Sequence, residues 1–307
     1  MHISTVINQM LVLLIILVIG VICRKTGITD DIGNKKLSRL LINVCQSAMI
    51  LASVMNSESA VSSGYVFEII GISALLYVFL ILFSYLVPVI LGTPRDDRKL
   101  YRFMSIFGNV GFMGFPVIAS VFGSEAVFYA SLFNIPFNIL MYTLGISLAS
   151  GAKGKAKFSL KQLVNVPLIA TFVSLIIFLL HIPVPAPVAE ATELLGDMVV
   201  PAAMIVIGTS LGGMSLKKML GSWRLYIFTP IKLMLIPAIV YFLFGLFVKD
   251  QMILGIATVM AALPVATNCT MLCLEYGGNE ELSSSGTFMT TVLSVVTIPL
   301  MVYLLLI

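Results

Sequence analysis

Side chains able to grip a small anion without a metal or a nucleophile stand at two places in this sequence, and at both they interrupt apolar surroundings. The first is Phe107-Gly108-Asn109-Val110-Gly111-Phe112-Met113-Gly114-Phe115-Pro116. The second is Met260-Ala261-Ala262-Leu263-Pro264-Val265-Ala266-Thr267-Asn268-Cys269-Thr270. An asparagine amide donates N–H bonds to a carboxylate, threonine hydroxyls add donors, and glycine lets a ligand approach the backbone closely. Asn109, Gly111, Gly114, Pro116, Pro264, Thr267, Asn268 and Thr270 are therefore the candidate substrate-binding residues.

The same residues are poor helix formers. Proline lacks an N–H and clashes with the carbonyl four residues back, and glycine costs a helix about 1 kcal/mol relative to alanine. A membrane span written this way should open near its middle, which lipid tolerates only where protein or a water-filled cavity satisfies the backbone. Each half-helix that begins at a break aims unpaired N–H groups and about half a positive charge at the midplane. Two such ends make an anion site with no side-chain cation. Either break alone also reads as a simple kink, and the pair is the stronger signal.

Other polar residues within apolar runs have two readings each. Asn134 and Asn138 flank Pro136 at i, i+4 and either line the same cavity or bond a neighbouring helix. Lys232 lies eight residues beyond Arg224, roughly 12 Å along a helix, between Pro230 and Pro237. An intramembrane cation costs about 2.5–3.5 kcal/mol, so Lys232 either supports the breaks and attracts anions, or snorkels to the interface. Asp197 is a candidate coupling carboxylate, set against an interfacial face that it would form with Glu190 and Glu193.

Catalysis is not expected. The two histidines, His2 and His181, form no metal-binding pair, Ser284-Ser285-Gly286 has no evident base, and Asp96-Asp97 lies among basic loop residues. Cys23, Cys45, Cys269 and Cys273 all fall in apolar segments, which suggests neither a disulfide framework nor a zinc site. No metal and no cofactor is expected. Nucleic-acid binding would need a basic surface domain, and none is written.

The elements that hold these residues follow from composition. Hydrophobic residues make up 59% of 307 and charged residues only 10%, against about a quarter charged in a soluble domain, so the chain is an all-α polytopic membrane protein. Apolar runs of spanning length predict ten transmembrane helices, at 5–23, 36–55, 66–91, 101–122, 125–149, 163–181, 189–213, 224–248, 252–275 and 283–307. The first has no basic leader region and no small-residue cleavage site, and reads as a span. Sixteen of the eighteen lysines and arginines fall on alternate loops, which predicts an outside N-terminus and cytoplasmic basic loops.

The basic loop 150–162 divides the chain into five-helix halves, 1–149 and 163–307. Because five is odd, the second half enters from the opposite side, as in an inverted-topology repeat. Leu40–Val54 is similar to Leu194–Gly208, and counting back from Gly123-Ser124-Glu125 and Gly278-Asn279-Glu280 sets Asn109 opposite Pro264.

The runs Gly108–Pro116 and Pro264–Asn268, with Pro201-Ala202-Ala203-Met204 followed by Gly208, resemble the auxin efflux carrier family in its short bacterial form. The resemblance covers essentially the whole chain, and that family's fold is similar to that of the sodium/bile-acid symporters. It implies ten helices as two inverted repeats of five, with broken helices 4 and 9 crossing at the substrate site. Asn109 and Pro116 would belong to the first crossover, and Pro264 and Asn268 to the second. It implies a scaffold at 1–60 and 163–220, which in plant members also makes a homodimer, and a transport domain at 61–149 and 221–307. One departure is Gln46, where the family often has a proline whose repeat mate here is Pro201.

The functional expectation is a permease or efflux carrier of small organic anions such as carboxylates, embedded in membrane lipid, in the bacterial cytoplasmic membrane, working by alternating access. Export of a monoanion from an interior-negative cell gains about 2.3 kcal/mol per 100 mV, a concentration ratio of roughly fifty. Uptake would require a proton or sodium ion, which leaves a coupled symporter as one alternative and a channel as another.

Overall fold

The computed structural model describes residues 3–55, 63–150, 165–213 and 222–306; these form helices joined by turns and breaks, with a single isolated antiparallel bridge between Gly108 and Val265. The basic residues Lys153, Lys155, Lys157, Lys161, Lys217 and Lys218, and His2, lie outside the described residues.

Among the described residues, six helices are long and apolar enough to cross a membrane: Asp31–Met55, Gly64–Ile90, Ala126–Ala149, Ala186–Gly213, Trp223–Phe244 and Glu280–Leu306. Val110–Phe122, Val166–Leu180 and Gln251–Ala262 are shorter apolar helices, and Ile3–Lys25 is a helix of 23 residues. Two of the short ones adjoin a break. The fourth predicted span is a helix Arg98–Ile106 and a second helical stretch from Val110 to Phe122, separated by extended backbone; the ninth is Gln251–Ala262 and Asn268–Tyr276 with Leu263 to Thr267 between them.

Several long helices carry a wide π turn: Leu41–Gln46, Val110–Gly114, Met141–Gly145 and Ile231–Leu235. Such turns shift the side-chain register by inserting one extra residue, and they concentrate at functional positions. Pro116 stands at the second position of Phe115–Phe122, directly after one π turn, and Pro237 follows another. At these positions the wider pairing of the π turn accommodates the missing proline N–H.

The chain divides into two compact units. The first comprises Met1–Ile70, Gly111–Asn134 and Val164–Met214. Its tightest packing joins Ile3–Lys25 to Val199–Gly213 through paired glycines. A Cβ on Gly20 would come within 2.6 Å of the Ile205 carbonyl oxygen, and one on Gly208 would collide with the Leu17 carbonyl. Small residues let the two backbones touch, the usual way in which apolar helices gain contact in lipid. From the next helix, Asp31–Leu40, Asn34 Nδ2 donates to Ser210 Oγ at 2.9 Å. Ser47–Met55 packs against both Val166–Leu180 and Ala186–Asp197: Ser174 Oγ donates to Ile50 O at 3.1 Å, and a Cβ on Gly196 would stand 2.9 Å from Met49 Cα.

The second unit comprises Gly71–Val110, Ile135–Leu163 and Ser215–Ile307. At one of its ends three loops are tied together: Arg224 donates to the carbonyls of Leu91 and Gly92, both at 3.2 Å, and Asn279 Nδ2 donates to Asp97 Oδ1 at 2.9 Å. Its interior is aromatic. Phe107 meets Phe103 at 4.8 Å and Phe137 at 5.8 Å between ring centroids, and Tyr101 meets Phe228 edge-on at 5.6 Å. Phe103 and Phe137 thus pack against Phe107 at the break.

Candidate functional site

Within the second unit the two breaks meet. Phe107 leaves the Arg98–Ile106 helix with φ −97° and ψ 109°, and Leu263 leaves Gln251–Ala262 with φ −62° and ψ 143°. Both have turned into extended backbone, so their peptide groups face sideways. The two strands then exchange hydrogen bonds: Asn109 N–H donates to Pro264 O at 2.8 Å, and Ala266 N–H donates to Phe107 O at 3.0 Å. The result is a short antiparallel bridge centred on Gly108 and Val265. Pro264 contributes by supplying a carbonyl where no N–H is needed.

Gly108 is required by the approach itself. A Cβ there would lie 2.8 Å from Leu263 Cβ and 3.3 Å from Met260 O. The remaining donor at the bridge, Val265 N–H, reaches Thr290 Oγ1 at 3.0 Å, and that hydroxyl donates on to Gly286 O at 2.7 Å. Thr290 and Val265 are both fully buried. A third tie comes from Lys232. Its Nζ, fully enclosed on the Ile231–Leu235 π turn, donates to Ser105 O at 3.2 Å and Ala261 O at 3.4 Å.

With the backbone so held, one group is left over. Asn109 is only 3% exposed and its Nδ2 is buried with no hydrogen-bond partner among the described residues. Leaving such a donor unsatisfied costs about 1–3 kcal/mol. Beside it in sequence register across the bridge, the Asn268–Tyr276 helix begins, with Thr267 as its N-cap making no side-chain cap bond. Thr267, Asn268 and Thr270 are half-buried. An amide with free N–H groups and an uncapped helix start in one unit are complementary to an oxyanion.

A sequence profile decides the family: that of the membrane transport proteins matches residues 5–302. The chain belongs to the auxin efflux carrier family. It is similar to an uncharacterized transporter of Methanothermobacter thermautotrophicus, 24% identical over 95% of this chain and 96% of that protein. It is also similar to an uncharacterized transporter of Methanocaldococcus jannaschii, 25% identical over 97% and 98% respectively. A protein of Rhizobium meliloti provisionally named a malonate transporter is 24% identical over 68% of this chain and 67% of its own length.

The residues singled out by the sequence fall in both units of this family member. Asn109, Pro264, Thr267, Asn268, Thr270, Asn138 and Lys232 belong to the second. Gly111, Gly114, Pro116, Asn134 and Asp197 belong to the first, the division passing between Val110 and Gly111 and between Asn134 and Ile135. Asn134 and Asn138 are buried and partnered. Pro116 stands beyond the break, after the π turn that absorbs it. Asp197 is exposed at the end of Ala186–Asp197, as are Glu190 and Glu193. Lys232, for which snorkelling was one reading, is 0% exposed at its residue.

One group escaped the sequence reading altogether, and a second was marked only as a departure from a family proline. Thr290, with its buried neighbours Thr287 and Thr291, whose hydroxyls have no partner among the described residues, lies on Glu280–Leu306. The repeated hydroxyls at i, i+3 and i+4 spacing are the signal that could have found them. Gln46, in the first unit, is 3% exposed with an unpartnered Oε1, and it would stand 3.5 Å from a Cβ at Gly111.

Proposed function

We propose that this membrane transporter is a secondary carrier of small organic anions, carboxylates above all, working by alternating access with the carboxylate held at the crossover of the two breaks. The observation that carries the reading is the Asn109 amide. It is enclosed, its N–H groups are unspent, and the backbone N–H groups of Asn109 and Ala266 are already committed to the bridge. A carboxylate accepts from such donors and from the start of the Asn268–Tyr276 helix. The relative named for malonate transport agrees with that chemistry.

The inverted-repeat architecture with ten spans is part of the proposal. It is supported by a related pair of contacts between the two halves: Gly20 abuts the Ile205 carbonyl, and Ser174 bonds the Ile50 carbonyl. The antiparallel bridge between Gly108 and Val265 also has the local two-fold symmetry such a repeat requires. Of the stretches proposed as scaffold, 1–60 and 163–220, residues 1–60 and 164–214 fall in the first unit. Sidedness with cytoplasmic basic loops is supported by the gathering of Gly92, Asp97, Arg224 and Asn279 at one end of the second.

Counterflow in proteoliposomes tests the reading. Labelled malonate, malate and lactate are offered against trapped unlabelled acid, with and without imposed proton and sodium gradients. Saturable exchange is expected for at least one carboxylate, and non-saturating flux would mark a channel instead. Asn109→Ala should raise the KM for that acid about tenfold, the loss of roughly 1.4 kcal/mol of hydrogen bonding. Because the amide is unpartnered without substrate, the same variant should melt no lower than the parent. An unchanged KM in Asn109→Ala, Asn268→Ala and the double variant would move the site elsewhere.

A further inference from the structure

Lys232 is a cation enclosed in the second unit without an anion. Among the described residues the single ion pair is Arg24 with Asp31, so no carboxylate lies within salt-bridge distance of its Nζ. Burying a charge unpaired is costly, and an intramembrane lysine ordinarily faces water or an acid. Lys232 does neither, and what it touches explains how it is accommodated.

Its two acceptors are not ordinary carbonyls. Ser105 lies in the last turn of Arg98–Ile106 and Ala261 in the last turn of Gln251–Ala262. The final four carbonyls of a helix have no acceptor role within it, and together they present about half a negative charge. Two helix ends brought to one point therefore present roughly one negative charge. A single ammonium between them balances that charge while supplying donors to both. A lysine on the Ile231–Leu235 π turn, flanked by Pro230 and Pro237, is placed to do this from a third helix.

We propose that Lys232 is the positioning residue of the crossover, and that its charge, not only its hydrogen bonds, keeps the two helix C-termini together. Without it, two like partial charges confront one another across the Gly108–Val265 bridge, and the strands that carry Asn109 and lead into Asn268 lose their common anchor. The proposal stands apart from the carrier reading, because it concerns the arrangement of the protein without substrate.

The test is backbone hydrogen exchange on the full-length protein in lipid nanodiscs, comparing the parent with Lys232→Arg, Lys232→Gln and Lys232→Met. Peptides covering 103–110 and 259–268 report the two helix ends. Both should exchange faster in the Gln and Met variants, together and by about tenfold or more, while peptides covering 13–21 and 199–209 stay unchanged. Arg, which keeps the charge, should hold exchange within about threefold of the parent.

Glutamine retaining parental protection would overturn the role of charge. Faster exchange at only one of the two ends, or equally across 282–305, would overturn the positioning role, since the lysine would then serve one helix or the packing of the whole unit. If the Gln and Met variants fail to accumulate while Arg does, the requirement for charge is upheld. If none of the three accumulates, the proposal fails.

Discussion

Thr290→Val replaces a hydroxyl by a methyl of nearly the same size, and the structure specifies what is lost. Thr290 Oγ1 is the acceptor for Val265 N–H at 3.0 Å, and both residues are fully buried. Valine fills the space but leaves that N–H without a partner, at a cost of about 1–3 kcal/mol. The Gly286 carbonyl, which also receives the hydroxyl at 2.7 Å, keeps its helical partner and loses little. The whole penalty therefore falls on the crossover. It corresponds to a roughly 5- to 150-fold increase in the population with the bridge open. Hydrogen exchange at Val265 reads that population directly, with Thr290→Ser as control. Serine loses a buried methyl, and so some global stability, but retains the acceptor. Val265 should thus exchange at least about fivefold faster in the valine variant than in the serine variant. Equal protection of Val265 in the two would refute the reasoning, because the hydroxyl would then not be what satisfies the break.

Two other substitutions probe the close backbone approaches. Gly108→Ala should open the bridge, since its Cβ would stand 2.8 Å from Leu263 Cβ; overpacking of this kind costs about 1–3 kcal/mol, to be read as a lower melting midpoint and faster exchange at Asn109. Gly208→Ala should destabilise the first unit through collision with the Leu17 carbonyl. Faster exchange confined to 13–21 and 199–209, with the bridge at 107–109 unaffected, is the expected pattern.

The breaks were legible in the sequence because their causes are local. Gly108 and Pro264 fail as helix residues wherever they are placed, so an apolar span containing them announces an opening. The position of the first break was less so. Pro116 looked like its far edge, yet the chain has resumed helical form by Val110, and the π turn ahead of Pro116 disposes of the steric conflict that a regular α-helix would have. Thr290 was invisible for a different reason. A threonine in an apolar helix is common, and its partner Val265 is 25 residues away, joined only by the fold. Lys232 was noticed as a charge out of place, but its acceptors are main-chain oxygens that no side-chain pattern encodes. Gln46 was recorded as a departure from a family proline, and its buried, unpartnered amide oxygen emerged only from packing.

The Gly108–Val265 bridge is made of main-chain atoms on both sides. Apart from Gly108 and the Thr290 and Lys232 side chains that anchor it, its geometry does not depend on the side chains it presents. Residues 109, 267, 268 and 270 are therefore free to change in size and polarity without dismantling the frame that presents them. A lineage built on such a crossover can exchange one small acid for another by single substitutions, each tested by selection on an intact fold. That is a physical route by which relatives of equal length and low identity could come to carry different cargo.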